Sequence, residues 1–160
     1  AYLDARNNIY ISLVLRRPVL RVLDNNGLNY YLDEEGYKLP LSRHFTARVL
    51  VATGHLPPHV TDYLEQEQNL LREVFLLGQQ LIEDDFLRSL IEQIYVTNRG
   101  ELNLVPKVGD QKILLGHYDD IDNKLENLKI FYREALPYEG WQKYGKIDLR
   151  FRGQIICARR

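Results

Sequence analysis

Two histidines four residues apart, His55 and His59, have the spacing at which a helix presents two zinc ligands on one face. Pro57 and Pro58 lie between them and forbid a regular helix, and the stretch has no acidic residue to act as a base. No metal is expected there. His117, followed by Asp119 and Asp120, imitates an acid–base cluster. Those aspartates precede an apolar-periodic segment, however, where they would cap a helix and complement its positive end. The only serines, Ser12, Ser42 and Ser89, stand outside any nucleophile-elbow pattern. Cys157, the single cysteine, sits among Ile155, Ile156 and Ala158 and reads as a small packed side chain rather than a nucleophile. Trp141 with Tyr138 and Tyr144 has the makings of a stacking platform, but no basic groove accompanies it, so a core or rim role is expected. No glycine-rich phosphate loop is present. The chain is therefore expected to be no enzyme, with no metal and no cofactor.

The elements that carry these residues follow from hydrophobic period. Asn8–Val14 alternates with period two, and Val19–Leu23, Leu28–Asp33 and Tyr37–Leu41 form a meander. Its turns are Asp24-Asn25-Asn26-Gly27 and Glu34-Glu35-Gly36, which supply residues tolerant of positive φ. Pro40 marks an edge or the end of that strand. Phe45–Ala52 reads as a further strand. From Thr61 to Asp85 the period becomes helical, with Leu64, Leu70, Leu71, Val74, Leu77, Leu81 and Ile82 at steps of three and four. Strands resume over Ile91–Thr97, Glu101–Pro106 and Gln111–Leu115. A second helix is predicted from Asp120 to Leu136, ended by Pro137. The fold class expected is α+β, an antiparallel sheet with two main amphipathic helices packed on it.

Composition excludes several classes. Of 160 residues, 45% are apolar and 27% charged, and the net charge is −1. Enough apolar residue is present for a core, so disorder is excluded, and a nucleic-acid binder would be more basic. No uninterrupted apolar run exceeds four residues, whereas a spanning helix needs about 20. One cysteine excludes an internal disulfide framework. The chain starts at Ala1 and contains no Met, so it is expected to be a processed product or an excised piece. Residues 61–92 carry a net −6 and residues 146–160 a net +4; the acidic stretch reads as a solvated helix face.

The last segment is the most informative. Ile147, Leu149, Phe151, Gly153, Ile155 and Cys157 alternate with Asp148, Arg150, Arg152 and Gln154, giving one apolar and one polar face. Two conformations fit: a long strand with a bulge at Gly153, or a tight hairpin at Arg152-Gly153. A strand there, at the edge of a sheet, would offer free N–H and C=O groups to an incoming strand. Phe151 would be the apolar anchor if exposed, or core if inward, and alternation favours inward. The arginines 150, 152, 159 and 160 would steer an acidic partner, or protect the edge against aggregation.

Three motifs in order resemble the FtsQ/DivIB family of bacterial cell-division proteins. The first is Leu13–Val22, a strand running into Arg16-Arg17-Pro18-Val19, where the family has an acidic–basic pair before the proline, so Arg16 departs from the pattern. The second is Tyr30-Tyr31-Leu32-Asp33-Glu34-Glu35-Gly36, similar to the family's apolar–Asp–x–x–Gly hairpin. The third is Ile147-Asp148-Leu149-Arg150-Phe151, similar to its final apolar–Asp–apolar–Arg–aromatic strand. The resemblance implies a parent with one membrane helix in the inner membrane, a small POTRA domain and an FtsQ-type β-domain. Residues 1–16 would then close the POTRA domain, and 17–160 would be the β-domain. It also implies a non-catalytic, periplasmic scaffold at the septum that binds FtsB- and FtsL-like partners by strand addition. The family's Arg–aromatic–x–x–Gly neighbourhood falls on Arg150, Phe151 and Gly153, with one residue fewer between them. The expected partner-binding residues are Arg150, Phe151, Arg152, Gly153, Gln154, Ile155 and Ile156. Two other readings share part of the pattern: an extracytoplasmic docking domain of another envelope assembly machine, and an enzyme whose site is not visible in the sequence.

Overall fold

The computed structural model describes residues 2, 3, 8–140 and 142–160. Trp141, for which a core or rim role is expected, lies outside the described residues. The strands are β1 (Tyr2–Leu3), β2 (Ile9–Tyr10), β3 (Pro18–Leu23), β4 (Asn29–Asp33), β5 (Lys38–Leu39), β6 (Leu50–Gly54), β7 (Ile91–Val96), β8 (Leu102–Pro106), β9 (Lys112–Gly116), β10 (Tyr144–Asp148) and β11 (Ile156–Arg159). The helices are α1 (Leu70–Glu83), α2 (Asp85–Leu90), α3 (Ile121–Ile130) and α4 (Leu136–Glu139), the last two joined by a π-helical turn over Phe131–Ala135.

β1 and β2 form a small ribbon of their own, and the other nine strands make one sheet in the order β11-β10-β9-β8-β7-β6-β3-β4-β5. The sheet is mixed rather than purely antiparallel, because β3–β6, β6–β7 and β9–β10 run parallel. A parallel neighbour requires a crossover that returns the chain to the same end of the sheet. Residues 55–90, with α1 and α2, make one such crossover. Residues 117–143, with α3, make another. Local alternation reveals strands but not these returns.

Three hairpin turns share one local solution. Asp24 Oδ1 accepts the N–H groups of Asn26 and Leu28, both at 2.9 Å. Asp33 Oδ1 accepts those of Glu35 and Tyr37 at 3.0 and 2.8 Å. Thr97 Oγ1 accepts those of Arg99 and Glu101 at 3.3 and 3.1 Å. In each turn the fourth residue is a glycine at φ +74 to +84, whose N–H reaches the first residue's carbonyl at 3.0 Å. A short polar side chain followed three residues later by glycine is thus enough to close each hairpin.

The core lies on one face of the sheet. Val22, Ala52, Ile94, Leu104, Ile113 and Ile147 stand side by side across six strands and are each 0% exposed. The α1 stripe of Leu71, Val74, Leu77 and Leu81 and the α3 stripe of Ile121, Leu125 and Leu128 join the same cluster. The next row, Arg21, Val51, Gln93 and Val105, is half-buried.

Helix boundaries differ from the sequence reading. α1 starts at Leu70, not Thr61, because Asn69 Oδ1 caps Leu71 and Arg72, while residues 60–69 close tight turns such as Tyr63 N–H to Val60 O. It ends at Asp84, whose Oδ1 caps α2 through Phe86 and Leu87, both at 3.0 Å. Pro137 does not end the second helix. The π turn shifts the ladder by one residue, with the Leu136 N–H on the Phe131 carbonyl, so Pro137 enters the first turn of α4, where a missing N–H costs nothing. Gly140 ends it. Asp120 is the α3 N-cap residue as expected, but at φ 50 and with no side-chain cap bond.

Candidate functional site: the C-terminal hairpin

β10 and β11 pair antiparallel, with Asp148 opposite Ile156 and Ile147 opposite Cys157. The tight-hairpin reading therefore holds and the long bulged strand does not. Residues 149–155 connect the strands, and the Gln154 N–H bonds the Phe151 carbonyl at 3.3 Å. Gly153 sits at φ +66 while Arg152 stays at negative φ, the sign pattern of a type II turn that favours glycine at its third position. Of the seven residues expected at the partner edge, Arg150 to Ile155 belong to this connection, and only Ile156 is in a strand. The edge itself is β11, which ends the nine-stranded sheet and has β10 on one side only among the described residues.

The turn also settles the orientation of Phe151. Ile147 and Leu149 are buried, but the chain leaves the sheet after Leu149, and Phe151 is 50% exposed rather than inward. Ile156, on the edge strand opposite Asp148, is 47% exposed.

Arg150 does not project freely. Its Nε and Nη2 donate to the two carboxylate oxygens of Asp148 at 2.9 and 2.8 Å, and Nη1 reaches Glu101 at 3.4 Å. Asp148 is almost fully buried, and the Arg150 guanidinium holds its carboxyl below the ordinary carboxylate value. Gly116 makes room for this arrangement, since a Cβ there would meet Arg150 Cγ at 2.9 Å. Arg152, by contrast, has a side chain 91% exposed, 3.9 Å from Asp120. The Asp148–Arg150 pairing has a signal in the sequence, since residues i and i+2 of an extended chain share a side.

The second motif aspartate is treated alike. Asp33, buried, receives Arg16 Nη1 at 2.8 Å, and the Arg16 guanidinium also lies 4.4 Å from the Tyr37 ring centre. The residue that departs from the family pattern thus has a definite task here.

The other candidates fall apart as sites. His59 packs between the rings of Tyr30 and Tyr63, and burial, aided by Lys38, lowers its proton affinity. His117 contributes its carbonyl, together with Asp119 Oδ1, to Lys124 Nζ. Cys157 packs against the core, and burial pushes its thiol up, away from thiolate character. Among the described residues no group of three or more His, Cys, Asp or Glu is placed to hold a metal, and no helix is long and apolar enough to cross a membrane.

A mixed nine-stranded sheet with helices on its core face, ending in a hairpin at the sheet's edge, defines a class of small α/β domains. Residues 17–158 match the family described as FtsQ/DivIB, C-terminal related, and the chain belongs to that family. It is 31% identical over 154 residues to the cell division protein FtsQ of Rhodothermus marinus, covering 91% of this chain and 54% of the relative. It is 26% identical over 157 residues to the cell division protein FtsQ of Salinibacter ruber, covering 94% and 59%. The chain thus spans little more than half the length of these curated relatives.

Proposed function

We propose that the chain is a non-catalytic binding domain of the bacterial cell-division machinery, and that it accepts a strand from an FtsB- or FtsL-like partner along β11. The single observation that carries this reading is the half-paired terminal strand at the end of a nine-stranded sheet, joined to the cell-division naming of the relatives. An unpaired edge is a template for main-chain hydrogen bonding, and neighbouring side chains then set specificity. Arg150, Phe151, Arg152, Gly153, Gln154, Ile155 and Ile156 would flank the incoming strand, with Phe151 and Ile156 as apolar contacts and the exposed Arg152 as the charged one.

The parent would be anchored in the inner membrane and act on its periplasmic side at the septum. Residues 1–16 would belong to a preceding POTRA domain, with 17–160 as the β-domain. Supporting this division, the family match begins at residue 17, and Ile11, Leu13, Val14 and Leu15 are 68–90% exposed, as apolar residues separated from a neighbouring domain would be.

Calorimetry with the extracytoplasmic segments of FtsB and FtsL tests the reading. Saturable binding that protects the β11 amides from hydrogen exchange is expected; binding that leaves β11 unprotected would refute the assignment.

A further inference from the structure

A second surface lies at the far end of the sheet. A hollow of about 610 Å³ opens where β3, β6 and β7 begin, with an apolar floor that includes Val19, Leu50 and Ile82. Its lining carries Arg48, Arg88 and Lys107 against the single carboxylate of Glu92. Arg88 is engaged by Asp85 at 2.6 Å. Arg48 makes no ion pair with any described residue, and Lys107 Nζ donates only to the Arg88 carbonyl, at 2.8 Å. Beside the hollow runs the segment 41–48. Its residues form no backbone–backbone hydrogen bond with the described residues; only side-chain oxygens meet it, as where the Ala47 N–H reaches Tyr31 Oη at 3.2 Å.

We propose that this hollow docks an extended acidic peptide segment of a partner protein, one bulky apolar side chain filling the floor and flanking carboxylates meeting Arg48 and Lys107. Charge complementarity selects that occupant: two exposed cations with no acidic partner rim an apolar floor, and such a pattern attracts carboxylates while rejecting basic segments. The open backbone of 41–48 gives an extended chain main-chain partners of the kind a helix would not use. The site is distinct from the C-terminal hairpin. It lies at the start of β7, whereas the 149–155 connection follows the end of β10, and these strands run the same way. Four strand spacings separate β7 from β11, roughly 19 Å, so both surfaces can be occupied at once.

The test uses a fluorescein-labelled hexapeptide of alternating glutamate and leucine, with a lysine–leucine peptide as its control. Anisotropy should show saturable binding of the acidic probe alone. The double variant Arg48→Glu/Lys107→Glu, at exposed positions and with the parent's circular dichroism, should bind it at least tenfold more weakly. Amide shift changes should fall on 47–51, 88–93 and 107. Equal binding of the two peptides, or shifts centred on 150–159, overturns the proposal. So does concentration-dependent shifting of 47–51 without peptide, which would make a second copy of the chain the occupant.

Discussion

Asp148 and Arg150 form a two-pronged ion pair across a single intervening residue, Nε and Nη2 of the arginine on the two oxygens of the aspartate. The pair closes the last strand of the core face, because the Leu149 N–H between them continues the sheet to the Leu114 carbonyl at 2.8 Å. The arginine that sequence patterning offers to a partner is thus already committed to the fold. What remains for an incoming chain is the connection's exposed side chains and the backbone of β11.

Replacing Asp148 by Asn should lower stability by about 1–2 kcal/mol, the low end for hydrogen bonds to a charged group, since Arg150 is 36% exposed and partly screened. Urea unfolding measures it. The pH dependence has a definite sign. A carboxyl held below its unfolded value of 3.8 lends stability that is complete above that value and is lost as pH falls through the folded value. The parent should therefore lose stability below about pH 4 more steeply than the Asn variant. Equal acid slopes would mean the fork contributes nothing.

Gly36 and Gly27 occupy equivalent places in two alike turns but face different surroundings. A Cβ on Gly36 would meet Tyr63 Oη at 2.6 Å and Leu64 Cδ1 at 2.8 Å, while one on Gly27 meets nothing within 4 Å. The Tyr63 hydroxyl also donates to the Gly36 carbonyl at 2.9 Å. Gly27→Ala should cost about 1 kcal/mol for its positive φ alone. Gly36→Ala should cost at least about 2 kcal/mol, because the buried tyrosine must also shift. Thermal unfolding of the two variants side by side tests the ordering, and equal melting points would refute it.

Gly78 should respond in the opposite direction. It lies inside α1, and a Cβ there would meet Leu50 and Leu20 methyl groups at 3.6–3.9 Å, ordinary packing distances. The helix does not need the space. Gly78→Ala is expected to stabilise the domain by about 0.5–1 kcal/mol through helix propensity. A destabilised variant in urea titration would show that the sheet approaches the helix more closely than these distances state.

How much of this was legible depended on how local each cause is. The hairpins at Asp24–Gly27 and Asp33–Gly36 are written within five residues, and the apolar rows through Val22 and Ile94 follow from alternation. The parallel pairing of β6 with β7 is not local, since it depends on where a 36-residue crossover lands. Leu64 stands in helical step with α1 yet sits in a turn, because Asn69 provides a better start. Pro137 looks like a helix stop until the π turn relieves it of its hydrogen bond. At the candidate site the segment's place at the C-terminal edge was readable. Its conformation hung on whether Gly153 takes positive φ, which alternation alone cannot state.

The hairpin also changes which substitution best probes strand addition. Gly153→Pro, attractive if this residue were in a strand, would break a turn at φ +66 and confuse folding with binding. The better position is Arg159. The Arg160 N–H points inward to the Lys143 carbonyl at 3.4 Å, so by strand alternation the Arg159 N–H points away from β10. Arg159→Pro removes that outward donor and leaves the β10 ladder intact, as proline is tolerated on an edge strand. Arg159→Ala removes the same charge but keeps the donor. Calorimetry with the FtsB and FtsL segments should therefore show near-parental binding for the alanine variant and at least a tenfold loss for the proline variant, both with parental circular dichroism. Equal weakening of the two would make charge, not backbone pairing, the source of affinity. Undiminished binding of both would move the partner off β11 altogether.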